Sequence, residues 1–479
     1  MDSSPSKPLV RWGTIIPLLG GMAIGAAKAA GSLPLFNLSY KQFKNNESDY
    51  HKYWPEVPNF TLDTLEKFPS HQFQNIDFVI ACCPCNGLST LNSTSRGPQN
   101  PANRWIFITA DFVLGNLKPK VFWGENAPGL FLNLGKALVP ELRQLGARYG
   151  YSFSMMKTNT LLHGLPQHRV RTFYFFWRST TTPKMKYIKK SSPHLHEYLK
   201  LIPSFASLQD VPVTDGSISE RFTPYKYVLE MENATHQEFV RKIAKDYPVT
   251  ITQYLHRQGL IEKCIIWLQK NHPRSTWTKT GKTFISYLLH VRKKLGKNCG
   301  YWDMSPKIFP HYCTAVVSKN VKFAVHPTTN RFLNVREILH LMGMPGDFQL
   351  SNPRKHWNHV CQNVPVDTAK DWTEEVIKFC YGKYTKTSFT FLKQDNCAKK
   401  IVEYDMFPVS GSKNSGNWLC HNCGSLHTHY LNLGSCESHQ MDQNEANSSA
   451  IIYGNPMISS SSSSMNQSTN HPVGSCTSC

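Results

Sequence analysis

The chain has 479 residues, enough for more than one folded unit, and its 53 Lys and Arg outnumber 32 Asp and Glu to give a formal charge of +21. A balance this basic is typical of proteins that bind nucleic acid, although a merely basic surface would look similar. No stretch reaches the roughly 18–20 continuous apolar residues of a membrane helix. Fourteen cysteines in so long a chain do not indicate a disulfide framework, so we expect a reducing, intracellular compartment.

The first predicted element is a strand that ends in a glycine turn. Residues 14–25 run from an apolar stretch through Gly20 and Gly21 into an apolar helix. A nucleotide-binding sheet begins in this way, because glycine lets the backbone approach a ligand closely. A secretory signal peptide is the competing interpretation, since Lys7 and Arg11 precede the apolar run. Pro17 and the glycine pair favour the turn, and we therefore expect a chain that is not secreted.

A second apolar strand, residues 76–81, leads directly into Pro84 and Cys85. Open α/β folds bind their ligands at the carboxyl edge of the sheet, where this strand would end. A thiol at that edge can be a nucleophile if its surroundings favour the thiolate. A buried structural cysteine is the alternative, and it is the commoner role for a single Cys.

Three further blocks follow in order along the chain. A short apolar strand ends in Glu125-Asn126, and Gln167 to Arg171 lead into the strand-like residues 172–177. Residues 331–345 contain an Arg-Glu pair followed by Leu, Gly and Pro, and Asn334 with Glu337 predicts a capped helix start there. Each pattern is modest, but together with Pro84-Cys85 the ordered set resembles the carbon-5 cytosine-specific DNA methyltransferases, over roughly residues 8–180 and 305–383.

The resemblance implies an α/β fold, namely the Rossmann-like sheet of the S-adenosylmethionine-dependent methyltransferases with a smaller target-recognition domain inserted into it. Residues 8–180 and 306–383 would build the catalytic and cofactor-binding domain, and the polar, basic residues 181–305 would form the insert. Phosphate contacts would position double-stranded DNA, and a few side chains would read bases. We expect a monomer with no membrane partner; transfer RNA is a weaker alternative substrate, because a few relatives of this family act on it.

The resemblance assigns catalytic roles to four residues. Cys85 would add to carbon 6 of cytosine and turn the ring into an enamine that can attack an electrophilic methyl group. Glu125 would protonate or hydrogen-bond ring nitrogen 3, and Arg169 and Arg171 would steady the developing charge near the cytosine carbonyl. The cytosine must leave the duplex to reach such a site.

The cofactor half of the sequence departs from the family. The resemblance places the contacts with S-adenosylmethionine at Ile16, Leu19, Gly20, Gly21, Asp63, Pro84 and Gln362. Ile16 replaces the family's phenylalanine, Leu18 its first glycine, and residues 36–41 offer no carboxylate for the ribose hydroxyls. Three accounts remain: binding of S-adenosylmethionine through substituted contacts, which we favour; use of a modified S-adenosylmethionine with transfer of another group; or a catalytically impaired relative that only binds DNA.

Beyond residue 395 the composition changes. Ser, Asn and Gln dominate residues 395–479, and a serine run covers Ser459–Ser464, which predicts disorder. Within this tail, the spacing of a few Cys and His residues is compatible with a zinc site, the candidate ligands being Cys420, Cys423, Cys436 and His439. An accidental cluster is the alternative.

Overall fold

The computed structural model describes residues 9–64, 67–89, 97–186, 188–243, 249–276, 281–296, 303–309 and 311–382, together with three short strands in the tail. Those strands, Met406–Pro408, Trp418–Cys420 and Leu426–His427, pair as an antiparallel sheet. The rest of the tail lies outside the described residues, and so do the candidate zinc ligands Cys423, Cys436 and His439. Cys420 is described only as the last residue of its strand.

A seven-stranded sheet forms the centre of the molecule. Its strands are β1 (Trp12–Ile15), β2 (Asn37–Tyr40), β3 (Asn59–Leu62), β4 (Phe78–Cys82), β5 (Val121–Asn126), β6 (Ser152–Asn159) and β8 (Val170–Trp177), and the short β7 (Gln167–His168) precedes β8. They lie in the order β3-β2-β1-β4-β5-β8-β6. The first five of these are mutually parallel, and β8 runs antiparallel to both of its neighbours. The prediction of an α/β fold around a largely parallel sheet is confirmed.

Helices cover both faces of this sheet. The helices of the first half are α1 (Gly21–Ala30), α2 (Lys44–Tyr53), α3 (Arg104–Phe112) and α4 (Leu138–Arg148). Those that follow are α5 (Leu195–Lys200), α6 (Ile218–Arg221), α7 (Thr223–Glu232), α8 (His236–Ile243), α9 (Ile251–Arg257), α10 (Ile261–Asn271), α11 (Phe284–Gly296), α12 (Ser318–Val321), α13 (Val335–Leu341), α14 (Pro353–Gln362) and α15 (Val366–Cys380). No described helix is both long and apolar enough to cross a membrane.

Strand β4 explains why its sequence is an unbroken apolar run. Val79 and Ala81 pack into the core under α3 and α4, whereas Phe78 and Ile80 pack into the core under α1 and α15. Successive side chains of a strand point to opposite faces, so a strand covered on both faces needs apolar residues throughout.

Helices α1 and α15 pack closely, although they lie at opposite ends of the catalytic region. A Cβ on Gly25 would come within 2.3 Å of the Val366 carbonyl oxygen and 2.7 Å of the Ala369 Cβ. Residues 12–30 therefore supply a central strand and a buried helix, as the glycine-turn interpretation predicts. The predicted cap of α13 is also present, because Asn334 accepts from the Glu337 amide and Glu337 accepts from the Asn334 amide.

A separate helical core occupies the middle of the chain. It begins at Ile218, is built from α6 to α11, and includes Ile308, Val325 and Phe332. The two-residue strands β9 (Val249–Thr250) and β10 (Lys307–Ile308) pair within it, whereas β11 (Cys313–Thr314) pairs with β7. Met185 packs instead beside α15, and Leu195 packs near α13. The boundaries proposed at residues 181 and 305 stay predictions, and the helical core itself spans a later segment.

Candidate active site

The topology of the sheet brings the glycine turn after β1 and the Cys85 loop after β4 to the same edge. The chain passes from β1 to β2 and β3 on one side and then crosses to β4 on the other side of β1. Open α/β sheets bind ligands outside the carboxyl ends of the strands at such a reversal. Ile15 and Ala81 are register partners near those ends, so the glycine turn after β1 and the Pro84-Cys85 loop after β4 share one edge.

The loop that carries Cys85 is held from the neighbouring strand. The Asn126 side-chain amide lies 3.4 Å from the Cys83 carbonyl oxygen and 3.5 Å from that of Pro84. A turn follows, in which the Leu88 amide donates to the Cys85 carbonyl at 3.0 Å. Cys85 is partly exposed, whereas Cys82 and Cys83 are buried. Of these three adjacent thiols, Cys85 is therefore the one that a ligand at this edge can reach.

Glu125 and Arg171 form a largely buried ion pair beside this loop. Glu125 is the register partner of Cys82, and the Arg171 Nε lies 2.8 Å from the Glu125 Oε1. The two side chains are only 10% and 17% exposed. An acid at the end of β5 and a cation at the start of the antiparallel β8 are thereby placed side by side.

The predicted catalytic groups influence one another electrostatically. Burial raises the pKa of the Cys85 thiol and the Glu125 carboxylate raises it further, while Arg171 and Arg169 act in the opposite direction. Burial also raises the pKa of Glu125, again against the effect of the two arginines. The structure thus brings Cys85, Glu125, Arg169 and Arg171 into one cluster; their catalytic roles stay predictions.

Arg169 and Gln167 tie this cluster to the end of the chain. The buried Arg169 guanidinium donates to the carbonyl oxygens of Val316 at 2.7 Å, Asn363 at 2.8 Å and Cys361 at 3.2 Å. Burial lowers the pKa of Arg169 to about 9. Gln167 accepts from the Val316 amide at 2.9 Å. The Arg169 guanidinium thus contacts backbone carbonyl oxygens, whereas the Arg171 guanidinium contacts the acid.

The turn after β1 has an unusual backbone. Ile16 and Leu18 both have φ of +53°, and Gly20 has φ of +88°. Positive φ costs a residue with a side chain about 1–2 kcal/mol, and a β-branched residue rarely adopts it. Strain of this kind concentrates at ligand-binding sites. Leu19 points away from the edge into the core under α13 and α14, so only its backbone is available to a ligand.

Asn363 completes the turn and was missed by sequence reasoning. Its Oδ1 accepts from the Gly21 amide at 2.8 Å, and a Cβ on Gly21 would lie 2.1 Å from the Val364 carbonyl oxygen. The resemblance had placed the family's asparagine on Gln362, which is exposed. The available signal was the Asn-Val pair one residue further along the chain.

The remaining predicted cofactor contacts are dispersed. Pro84 is partly buried in the Cys85 loop. Asp63 follows β3, and its carboxylate lies 2.8 Å from the Lys41 ammonium, with both side chains at least half exposed. The hydrogen bond from Lys41 lowers the pKa of Asp63. To contact a ligand, Asp63 would therefore have to break its surface ion pair with Lys41.

Among the described residues, Asp49 of α2 and His356 and His359 of α14 form a candidate metal cluster, with ligand atoms within 4.8 Å of one another. The Asp49 Oδ2 and the His356 Nδ1 are 2.8 Å apart, and Oδ1 accepts from the Ser351 amide at 2.9 Å. Both carboxylate oxygens already have protein partners, so hydrogen bonding between α2 and α14 accounts for the cluster.

The fold and the site define a Rossmann-like α/β protein with a thiol, an acid and two arginines at the ligand-binding edge of its sheet. The chain matches the model of the C-5 cytosine-specific DNA methylases over residues 16–378, and it belongs to that family. The resemblance inferred from the ordered motifs is confirmed.

Individual relatives are distant. The chain is 27% identical over 100 residues to the type II methyltransferase M.AgeI of Thalassovita gelatinovora, which covers 21% of this chain and 23% of that protein. It is 19% identical over 309 residues to the type II methyltransferase M.Bpa9945I of Bacillus paralicheniformis, which covers 58% and 65%. The chain thus spans less than two thirds of the length of either curated relative.

Two solved structures also align along most of the chain. A protein described as a DNA modification methyltransferase encoded within a prophage (E. coli) has a TM-score of 0.49 at 14% identity, covering 78% of this chain and 99% of that one. The Entamoeba histolytica methyltransferase EhMeth has a TM-score of 0.47 at 11% identity, covering 79% and 100%. The family assignment does not depend on these likenesses, since both TM-scores lie below 0.5.

Proposed function

We propose that the protein is a DNA (cytosine-5-)-methyltransferase, which transfers a methyl group from S-adenosylmethionine to carbon 5 of a flipped cytosine through a covalent adduct with Cys85. The observation that carries this proposal is the cluster of Cys85, Glu125 and Arg171 at the edge where the strand order reverses. Membership of the C-5 cytosine-specific DNA methylase family supports the same reaction.

Each residue of the cluster has a separate task in this reaction. The Cys85 sulfur forms a bond to carbon 6 of cytosine, and the displaced electron pair moves through the ring towards nitrogen 3 and carbon 5. Glu125 hydrogen-bonds or protonates nitrogen 3, and Arg171 holds Glu125 in place and stabilises negative charge beside it. After transfer, loss of the carbon-5 proton and departure of the sulfur restore the ring double bond.

The turn after β1 suits a nucleotide-like cofactor. Gly20 and Gly21 let the backbone of this turn pack closely against Tyr50 and Val364, and Pro84 follows β4, the strand beside β1. Among the described residues, the buried Oε2 of Glu47, on α2, has no hydrogen-bond partner, so this region also offers an acceptor to a ligand. Bound S-adenosylmethionine would supply the electrophilic methyl group.

The helical insert is the proposed contact surface for double-stranded DNA. Several of its lysines and arginines are exposed, namely Arg241, Lys242, Lys263, Lys270, Arg292 and Lys293. Exposed cations neutralise phosphates and make the affinity depend on salt. A reducing intracellular compartment fits a reaction that needs a free thiol, and the seven cysteines whose side chains are described are all free.

The test incubates the full-length protein with labelled S-adenosylmethionine and DNA and then analyses the nucleosides by mass spectrometry. We expect 5-methylcytosine from the wild type and none from Cys85→Ser. DNA with 5-fluorocytosine should trap a covalent adduct on Cys85, because fluorine cannot leave carbon 5 as a proton does. A different added mass would indicate a modified cofactor, and DNA binding without transfer or adduct would indicate a binding protein.

A further inference from the structure

Glu47 reaches the end of β2 from helix α2. Its Oε1 accepts a hydrogen bond from the Ser39 hydroxyl at 2.7 Å, and its side chain is fully buried. The backbone of Leu18, in the strained turn after β1, lies near enough to favour the ionised carboxylate. The ends of β1 and β2 are themselves joined, because the Ile16 amide donates to the Leu38 carbonyl at 2.8 Å. A carboxylate therefore lies between the glycine turn and β2, although β2 itself ends without one.

One oxygen of this carboxylate has no hydrogen-bond partner among the described residues. It is the buried Oε2 of Glu47, and the imidazole Nε2 of His51 lies 4.0 Å from it. Burial raises the pKa of Glu47 to about 8. Leaving a buried acceptor unsatisfied costs free energy, and an apolar side chain would avoid that cost. Glu47 therefore destabilises the ligand-free fold, and a ligand that donates a hydrogen bond to Oε2 would offset this cost.

Helix α2 brings a second group to the same turn. A Cβ on Gly20 would lie 2.1 Å from the Tyr50 ring, and the Tyr50 hydroxyl donates to the Asn37 side chain at 2.9 Å. Ser39 and Asn37, both on β2, therefore hold the two α2 side chains in place. With Oε1 fixed by Ser39, the orientation of Oε2 is fixed as well.

We infer that Glu47 binds the ribose hydroxyls of the cofactor through Oε2, replacing from helix α2 the carboxylate that the family has at the end of its second strand. A carboxylate only accepts hydrogen bonds, and ribose hydroxyls are donors that lack a positive charge, so the pair is chemically matched. This inference rests on the proposed function, because it takes S-adenosylmethionine as the ligand.

The binding experiment titrates S-adenosylhomocysteine, which cannot transfer a methyl group, into the full-length protein and follows the heat released. Above pH 8, where the Glu47 carboxyl is ionised, we expect Glu47→Gln to bind it about 10-fold or more weakly, since a hydrogen bond to a charged group is worth about 1.5–3 kcal/mol. An analogue that lacks the 2′ and 3′ hydroxyls should bind the wild type and Glu47→Gln equally. Glu56→Gln, which removes an exposed acid beyond α2, is the matched control and should bind like the wild type.

The outcomes separate the two proposals. If the wild type does not bind S-adenosylhomocysteine, the proposed function fails. If the wild type binds and Glu47→Gln binds equally well, the inference is overturned and the proposed function stands. An equal loss of affinity for S-adenosylhomocysteine and for the hydroxyl-free analogue would also overturn it, because that pattern indicates general damage to the site.

A second readout uses the stability of the ligand-free protein. A carboxyl group whose pKa is higher in the folded than in the unfolded state makes the fold less stable as the pH rises from about 4.5 to about 8. The titratable groups around Glu47 are His51, Tyr50 and Cys82, so the comparison is made between wild type and variant rather than on the wild type alone. Glu47→Gln should be at least as stable as the wild type at pH 8, by urea unfolding. A clear loss of stability there would show a structural role and overturn the inference.

Discussion

The charged side chains around Cys85 shift one another's pKa values, and these shifts affect the order of proton transfers. Arg171 lowers the pKa of both Glu125 and Cys85, whereas the negative charge of Glu125 raises that of Cys85. With Glu125 ionised, Cys85 tends to keep its proton. The proposed reaction needs the reverse, a Cys85 thiolate beside a protonated Glu125. Since one nearby cation favours one negative charge, protonation of Glu125 would help to release the proton of Cys85.

The first prediction follows from this coupling. Glu125→Gln removes a negative charge beside the thiol, so the pKa of Cys85 should fall and the cysteine should react faster with iodoacetamide at neutral pH. Methyl transfer should nevertheless drop by roughly 10²–10⁴-fold, because the acid is lost. The alkylation rate is followed against pH by mass spectrometry of the peptide that contains Cys85.

Arg171→Met provides the comparison with the opposite sign. Removing the cation should raise the pKa of Cys85 and slow alkylation at the same pH. Arg148→Met, which removes an exposed cation paired with Asp111, should leave the rate unchanged. An alkylation profile that shifts in the same direction for Glu125→Gln and Arg171→Met would contradict the proposed electrostatic coupling.

The sequence identified the charged groups of the site but not the different contacts of its two arginines. Arg169 and Arg171 are two residues apart, and on one regular strand they would share a face. Arg169 instead lies in the break between β7 and β8, where its side chain turns inward to three carbonyl oxygens. The role proposed for Glu47 could not be inferred from the sequence, because it depends on burial and on an oxygen without a partner among the described residues, and neither has a sequence signature.

The two glycines that flank α1, Gly20 and Gly31, serve different structural purposes. Gly20 is the N-cap and Gly31 the C-cap, and both have positive φ, +88° and +68°. A Cβ at Gly31 would meet nothing within 4 Å, whereas a Cβ at Gly20 would strike the buried Tyr50 ring. Gly31 satisfies a backbone conformation only, whereas Gly20 also makes room for a side chain of the neighbouring helix α2.

The second prediction compares these two glycines. Gly31→Ala should cost about 1–2 kcal/mol from backbone strain alone. Gly20→Ala should cost about 1–3 kcal/mol more, because overpacking displaces Tyr50 as well. Urea unfolding monitored by far-ultraviolet circular dichroism measures both variants. Equal losses of stability would mean that the Tyr50 ring moves aside at little cost.

At the element scale, strands and caps were predictable where the pattern is local. The apolar run of β4 and the Asn334 cap of α13 both follow from short windows of sequence. The contact between Gly21 and Asn363 does not, because it depends on where α14 ends and how α15 packs on α1. The resemblance places the family's asparagine on Gln362, the residue before the one that makes this contact, and a cofactor contact at Gln362 stays a prediction.

Two partly buried histidines of the described residues resist protonation. Burial lowers the pKa of both His168 and His326 to about 4. The His326 Nδ1 accepts from the Thr328 and Thr329 amides at 3.2 and 3.1 Å, so a proton on that nitrogen would break both bonds. Such groups remain neutral in the fold at pH values where the unfolded chain already binds protons.

The third prediction concerns acid stability. Between about pH 6.5 and pH 4 the unfolded state binds more protons at these histidines than the folded state, so the free energy of unfolding should fall as the pH drops. The two sites together should contribute a few kcal/mol to that loss. His326→Gln should flatten the slope measured by urea unfolding at several pH values, and His71→Gln, at an exposed site, should not. An unchanged slope in His326→Gln would contradict the role assigned to burial.

The α/β fold around a largely parallel sheet was predictable in outline, whereas the domain boundaries stay predictions. Ordered motifs at both ends, separated by a polar and basic segment, indicated one domain interrupted by another. The segment around Met185 and Leu195 resembles the insert in composition, yet it packs on the cores beside α15 and α13. The composition of a segment indicates how much of it is exposed to solvent. It does not indicate which hydrophobic core its few apolar residues pack into.

The bond between Gly21 and Asn363 joins residues that are 342 positions apart in the chain. At about 5–20 residues per second, a ribosome needs roughly 20–70 s to make the second partner after the first. During that interval α15 does not yet exist, so the apolar surface of α1 that α15 covers in the folded protein stays exposed. We therefore expect the nascent chain to fold more efficiently with chaperones, and we expect a circular permutant that begins with residues 366–380 to depend on them less.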